Sequence, residues 1–394
     1  MTELPKGYRF AAVAAGFKKK DRLDLGVIVS DADAVAAGTF TRNIFTAAPV
    51  VRCKQLLAKR PYARAILVNS GQANACTGAE GDANCLRTQE MIAEAVGVRP
   101  EEVLVASTGV IGAQLKMDLW AAAMPLVREN LGASSAADVS RAIMTTDTVP
   151  KTVGVEVELS SGPARLFGMA KGAGMICPDM ATLLGFIICD AEVDADWWGQ
   201  ALVRCVNISF NRITVDGDTS TNDTILALAN GAAGVRAGSD ADREALESAL
   251  CEICRELAYK IVQDAEGGTK VARIRVAGAS DAAQAELAAR AIGHSPLVKT
   301  ALFGCDPNWG RIVAAAGRSG ALFRAEDLVL KIGGIVVFEK GQPAPGDMDS
   351  LLAPIMNGPD IEIVILLGEG GGGYELAASD LSRDYVSINA DYRS

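Results

Sequence analysis

One stretch gathers the residue types that a self-cutting peptide bond needs: Lys171-Gly-Ala-Gly-Met-Ile-Cys-Pro-Asp-Met-Ala-Thr-Leu-Leu-Gly185. Glycines lead in, Pro178 fixes the backbone, and the small Ala181 precedes the hydroxyl residue Thr182. This pattern suits a strained, exposed bond between Ala181 and Thr182 that the threonine itself cleaves. The cut would leave Thr182 as a new N-terminus, with nucleophile and base on one residue. The same residues also fit a glycine-rich turn leading into a buried strand, and alone they do not separate the two readings.

Other segments carry weaker chemistry. Ser107-Thr-Gly-Val110 closes an apolar run, where the Thr108 hydroxyl and the unshielded N–H of Gly109 could form an oxyanion hole. Thr145-Thr-Asp-Thr148 is either a helix end or a hydroxyl-lined substrate wall. Lys171, between Ala170 and Gly172, is a candidate buried cation for a substrate carboxylate, although lysines usually lie at the surface. Asp216-Gly-Asp-Thr-Ser-Thr-Asn-Asp223 has the alternating acids of a calcium loop without its glycine and glutamate in place. It reads equally as a turn network or as a loop shaping a site.

Three further patterns lead nowhere catalytic. Gly368-Glu-Gly-Gly-Gly-Gly373 lacks the Lys-Ser/Thr of a phosphate loop and reads as a strand-to-strand turn. Cys251-Glu-Ile-Cys254 has no second pair for zinc and reads as two thiols on a helix face. His294 is the single histidine, which excludes a histidine-rich metal site, and Ile-Gly-His-Ser-Pro suits a turn or helix end. Any general base must therefore come from elsewhere.

The elements that position these residues follow from hydrophobic periodicity. Strands are expected at 63–70, 102–108, 153–160, 165–170 (a hairpin with the one before), 183–190, 271–277, 328–338 and 361–367. Helices are expected at 85–96, 118–131, 196–208, 240–264 (capped by Ser239) and 282–292. Strands and helices come in mixed clusters, which favours α+β layers over a doubly wound nucleotide-binding sheet. The 394 residues suffice for two or three lobes, with 49% apolar but only 5% aromatic residues, so the core is aliphatic. A net charge of −10 argues against nucleic-acid or anionic-membrane partners. The nine scattered cysteines read as reduced thiols, and with no signal-peptide pattern or bilayer-length apolar run the expected location is cytoplasmic.

Taken together, the segments resemble the ornithine acetyltransferase (glutamate N-acetyltransferase) family of arginine biosynthesis. The resemblance is carried by Ser107-Thr-Gly-Val-Ile-Gly112, Thr145-Thr-Asp-Thr148, Lys171-Gly-Ala-Gly-Met175, Pro178-Asp-Met-Ala-Thr-Leu183 and the 216–223 segment. It continues in Ser295-Pro-Leu-Val-Lys-Thr300, Cys305-Asp-Pro-Asn-Trp-Gly-Arg311 and Ile388-Asn-Ala-Asp-Tyr-Arg-Ser394, spanning nearly the whole chain.

The resemblance implies layered sheets and helices and an autocatalytically cut enzyme. Its α fragment, 1–181, and β fragment, 182–394, would be intertwined and assemble as an α2β2 heterotetramer. It implies Thr182 as nucleophile, Ala181 and Thr182 flanking the scissile bond, and Thr108 and Gly109 as oxyanion donors. Thr145, Lys171, Thr182, Glu266, Asn389 and Ser394 match substrate-contacting positions. The implied reaction moves acetyl from N-acetylornithine to glutamate through an acetyl-threonine ester, with no cofactor or metal. Alternatives are an amidohydrolase or aminopeptidase using the same threonine, an added acetyl-CoA-dependent activity, or an uncleaved amino-acid-binding protein. Two features depart from the family pattern: Asp179, where asparagine is common, and the stretch 370–379.

Overall fold

The computed structural model of the chain describes residues 3–18, 21–177 and 183–391. Asp179, Ala181, Thr182 and Ser394 lie outside the described residues. Two compact units emerge, one from Met1–Asn211 and Asp218–Ile261, the other from Arg212–Gly217 and Val262–Arg393.

In the first unit the chain runs through β1 (Tyr8–Val13), β2 (Leu25–Phe40), α1 (Ala48–Lys59), β3 (Tyr62–Gln72), α2 (Gly78–Val96) and β4 (Val103–Val110). It continues through α3 (Met117–Asn130), α4 (Ala136–Ala142), β5 (Lys151–Leu159), β6 (Gly162–Lys171), β7 (Leu184–Cys189) and α5 (Ala195–Asn207). After β8 (Ile213–Thr214), which belongs to the second unit, β9 (Thr224–Ala229) and α6 (Asp240–Gln263) follow. Among the described residues these strands form an eight-stranded sheet, ordered β4-β3-β2-β9-β7-β6-β5 with β1 on β2. The expected hairpin is β5–β6, antiparallel from Lys151↔Ala170 to Leu159↔Gly162.

Strand β7, Leu-Gly-Phe-Ile-Ile-Cys, is buried at every position, as a continuous apolar run with neighbours on both faces must be. It lies between antiparallel β6 and parallel β9, so Leu184 faces Lys171 on one side and Thr224 on the other. Met169, Leu184, Phe186 and Leu226 share one core with Phe10, Ile28, Leu104 and Trp120. Helix α6 presses close to β6, where a Cβ on Gly168 would come 2.5 Å from Ile253. Ser239 caps it reciprocally: Asp242 N donates to Ser239 Oγ at 3.1 Å and Ser239 N to Asp242 Oδ2 at 3.2 Å.

The cysteine expectation needs one correction. Helices α5 and α6 lie side by side, bringing the Cα atoms of Cys205 and Cys251 to 4.7 Å, and the two form a disulfide. Cys251 is therefore not a free helix-face thiol, whereas Cys254, one turn on, remains free and buried. Burial pushes the thiols of Cys53, Cys85, Cys189 and Cys254 up to about 12, which removes them as nucleophiles near neutral pH.

The second unit contains β8, β10 (Val271–Ala279), α7 (Ala282–Gly293), α8 (Pro296–Phe303), α9 (Trp309–Gly317), β11 (Val329–Ile332) and β12 (Ile335–Glu339). It closes with β13 (Gln342–Pro343), α10 (Met348–Met356), β14 (Asp360–Leu366), β15 (Gly372–Ser379) and α11 (Arg383–Asp391). Among the described residues its sheet has seven strands, ordered β13-β12-β11-β14-β10-β15-β8. The single strand expected over 328–338 is instead the hairpin β11–β12, because Gly333 and Gly334 adopt φ of 57° and 82° and reverse the chain. The glycine run after β14 is the turn into β15, not a phosphate loop. His294 ends α7 as its C-cap, and burial together with Arg290, Lys299 and Arg318 pulls its pKa down to about 4.

Candidate functional site

The end of β4 is shaped by glycine. Gly109 pairs with Gly71 of β3 at a break in register, with φ of 130°, and a Cβ there would fall 2.3 Å from the Gly71 carbonyl carbon. No L side chain fits, so the backbone of 109 approaches its neighbour more closely than a side chain permits. Thr108 is only partly buried, and Ser107 before it is buried and donates from Oγ to Asn69 Oδ1 at 2.7 Å.

The polar loop after β8 holds this strand end. Asn222 is buried, and its Nδ2 donates to the carbonyls of Ala73 at 2.6 Å and Ser107 at 2.8 Å. The same loop and the first residue of β9 hold the two flanks of the 178–182 segment. Thr219 Oγ1 donates to the Cys177 carbonyl at 2.9 Å, beside an isolated bridge from Ile176 to Thr219. Thr224 N donates to the Leu183 carbonyl at 2.9 Å. The 216–223 segment thus forms a turn network whose Thr219 and Asn222 tie it to Cys177, Ala73 and Ser107.

A second set of contacts joins Thr145 to Lys171. Asp147 is buried, accepting from Thr145 N on Oδ2 at 2.9 Å, and on Oδ1 from Lys151 Nζ at 2.7 Å and Gly172 N at 2.7 Å. Burial alone would raise its carboxyl. The charges of Lys171 and Lys151 and these bonds outweigh that and hold it well below the ordinary carboxylate range. Lys171 is buried at 8% exposure and is not a surface lysine. The carbonyls of Met144 and Thr145 accept from Lys18 Nζ and from Arg22 Nη2, the latter at 3.0 Å.

Thr145 and Lys171 are thus linked through Asp147 in the first unit, which also holds Thr108 and Gly109. Glu266 and Asn389 meet in the second, where Asn389 Nδ2 donates to Glu266 Oε2 at 2.8 Å. Ala181, Thr182 and Ser394 lie outside the described residues, although Cys177 and Leu183 on either side of the first two are fixed as above. Sequence reasoning missed Lys18, Arg22, Asp147 and Asn222. The last two sit inside segments singled out for other reasons. Among the described residues no group of three or more His, Cys, Asp or Glu could hold a metal ion, and no helix is long and apolar enough to cross a membrane.

Fold and site together describe an α+β protein whose sheet carries a hydroxyl–glycine strand end and a buried lysine. Comparison with known proteins narrows this. The ArgJ family model matches residues 9–394. The arginine biosynthesis bifunctional protein ArgJ of Nitratidesulfovibrio vulgaris is 55% identical over 394 residues, covering all of both chains. Its namesake from Thermosynechococcus vestitus is 46% identical over 405 residues, covering 98% of this chain and 96% of its own. Among solved structures, ornithine acetyltransferase from Mycobacterium tuberculosis, complexed with ornithine, is 41% identical, with a TM-score of 0.42 over 45% of this chain and 94% of that one. The chain belongs to the ArgJ family, as the motif resemblance implied.

Proposed function

We propose that the chain cuts itself between Ala181 and Thr182 and then transfers acetyl from N-acetylornithine to glutamate. In the precursor the Thr182 hydroxyl attacks the Ala181 carbonyl, the chain shifts to an ester, and water hydrolyses it. The freed α-amine, with an ordinary pKa of about 7.7–8.0, becomes the base that the single histidine does not supply. In turnover Thr182 Oγ attacks the acetyl carbonyl, its proton passes to the departing amine of ornithine, and an acetyl ester remains. The amine of glutamate then attacks that ester and restores the hydroxyl.

Thr108 and Gly109 are the proposed donors to the oxyanion of each tetrahedral state. Lys171 is the proposed partner of the α-carboxylate common to both substrates, with Thr145 beside it. Glu266 and Asn389, and by resemblance Ser394, are proposed as further substrate contacts. The fragments 1–181 and 182–394 would assemble as α2β2 in the cytoplasm without a cofactor. One observation carries the reading: the loop that holds Cys177, just before 178–182, also fixes the strand leading into Thr108 and Gly109, and the β9 strand it enters holds Leu183 on the other side. The relatives' role in arginine biosynthesis agrees with it.

N-terminal sequencing of the purified protein tests the cut. A fragment beginning Thr-Leu-Leu-Gly-Phe is expected, and Thr182→Ala should leave one intact chain. A fully active protein that stays uncut would overturn the proposal. Product analysis tests the acceptor: acetylglutamate should form with glutamate present, whereas acetate formed equally with and without it would point to a hydrolase.

A further inference from the structure

Lys18 lies beside the proposed oxyanion donors, although nothing in the sequence distinguishes it from its basic neighbours. Its backbone is tied down by buried Asp24, whose carboxylate accepts from the N–H groups of Ala15 at 2.7 Å, Phe17 at 2.6 Å and Lys18 at 3.2 Å. Its stem passes over Gly71, where a Cβ would come 2.8 Å from Lys18 Cγ. Gly71 is the residue against which Gly109 is pressed. Two glycines side by side leave no side chain between the lysine and the strand end.

The charges around it are unbalanced. Lys18 faces Arg22, Lys171, Asp24 and Asp147, and Lys151 sits on Asp147, so among the described residues the cluster brings four cations, Lys18 included, to two carboxylates. Asp24 spends its oxygens on backbone amides, and Asp147 is bonded by Thr145, Lys151 and Gly172. Lys18 and Arg22 donate to backbone carbonyls, and among the described residues neither has a carboxylate partner. A half-buried positive excess of this kind attracts an anion.

The acetyl-transfer reading, on which this inference rests, says which anion. Both substrates present an α-amine to the same acetyl site, so their α-carboxylates share one location and their side chains another. The side chains differ in sign: ornithine ends in an ammonium, glutamate in a carboxylate. We propose that Lys18 selects the acceptor, its ammonium holding the side-chain carboxylate of glutamate while Lys171 holds the α-carboxylate. A lysine suits a position visited by both signs because, unlike arginine, it can shed its proton. Burial, with Arg22 and Lys171 adding to it, lowers the Lys18 pKa to about 7 despite Asp24 and Asp147. Lys18 can therefore be neutral opposite ornithine and charged opposite glutamate.

The test uses self-cut protein, checked on a gel, with Lys18→Met and Lys18→Arg. Lys18→Met should raise KM for glutamate about tenfold or more. Release of ornithine from N-acetylornithine in a single turnover should stay within about threefold, and the preference for glutamate over glutamine should collapse. In the parent protein, KM for glutamate should rise about tenfold from pH 6.5 to 8.5 as Lys18 discharges above pH 7. In Lys18→Arg that rise should vanish while the ornithine half-reaction weakens. Equal losses in both half-reactions, an unchanged glutamate KM in Lys18→Met, or a pH-dependence preserved in Lys18→Arg would each overturn the role of Lys18. Failure of the parent to make any acetylglutamate would instead overturn the acetyl-transfer reading itself.

Discussion

At Gly109 a missing side chain does the positioning. The backbone there lies so close to Gly71 that even a methyl group meets the neighbouring strand. Gly109→Ala should therefore displace the N–H it carries, lowering kcat by about 10²–10³-fold. Thr108→Val removes only a hydroxyl while keeping the shape. It should lower kcat by about 10²-fold with the melting temperature unchanged within about 1 °C. Steady-state kinetics and thermal unfolding on cut protein check the pair, and a fully active Thr108→Val would remove Thr108 from the oxyanion site. At this scale the sequence made legible the strand end that carries Thr108 and the burial of the apolar-flanked Lys171. Asp147 and Asn222 were not, because their roles are bonds made 25 residues away to Gly172 and 115 residues away to Ser107. Lys18 was hidden in the run Lys18-Lys-Lys20, which reads as a solvated surface.

Among the elements, the loop between β8 and β9 has an unusual burden, since its bonds reach Cys177 and Ser107 together and it leads directly into the β9 residue that holds Leu183. Thr219→Val keeps the bulk and loses the bond to Cys177. One hydrogen bond of about 0.5–1.5 kcal/mol should slow self-cleavage roughly three- to tenfold without stopping it. A time course of precursor loss on a denaturing gel measures this, and cleavage at the parent rate would show that the bond does not hold the segment for reaction. Strands β3 to β7 were readable because each is a compact apolar or alternating run. Strand β2 was not, because Asp31 and Asp33 interrupt its pattern where its register breaks between Val29 and Ala34. Strands β11 and β12 merged in the sequence because Ile332-Gly-Gly-Ile335 looks like uninterrupted apolar chain, and only the backbone angles of the glycines reveal the turn.

For the molecule as a whole, the proposed cut falls where it cannot release a separate domain. Strands β1 to β6 would belong to one fragment and β7 and β9 to the other, yet β7 pairs with β6 and β9 with β2. The Cys205–Cys251 bridge lies wholly on the C-terminal side of residue 182, so it ties neither fragment to the other. Cut protein should therefore elute from a size-exclusion column as one species containing both fragments, with or without reductant, and resolve into two bands only after denaturation. Two separate native peaks would contradict this arrangement of strands.

The central place of β7 has a further consequence. Before the cut, folding closes one chain upon itself at a rate indifferent to concentration. Afterwards the same sheet can be rebuilt only through an encounter of two molecules, so recovery after heating or denaturant depends on how many partners remain nearby. The working lifetime of the matured protein is then set by how slowly its strands separate, rather than by how readily they rejoin. Dilution, harmless to refolding of the precursor, would hinder reassembly of its cut product.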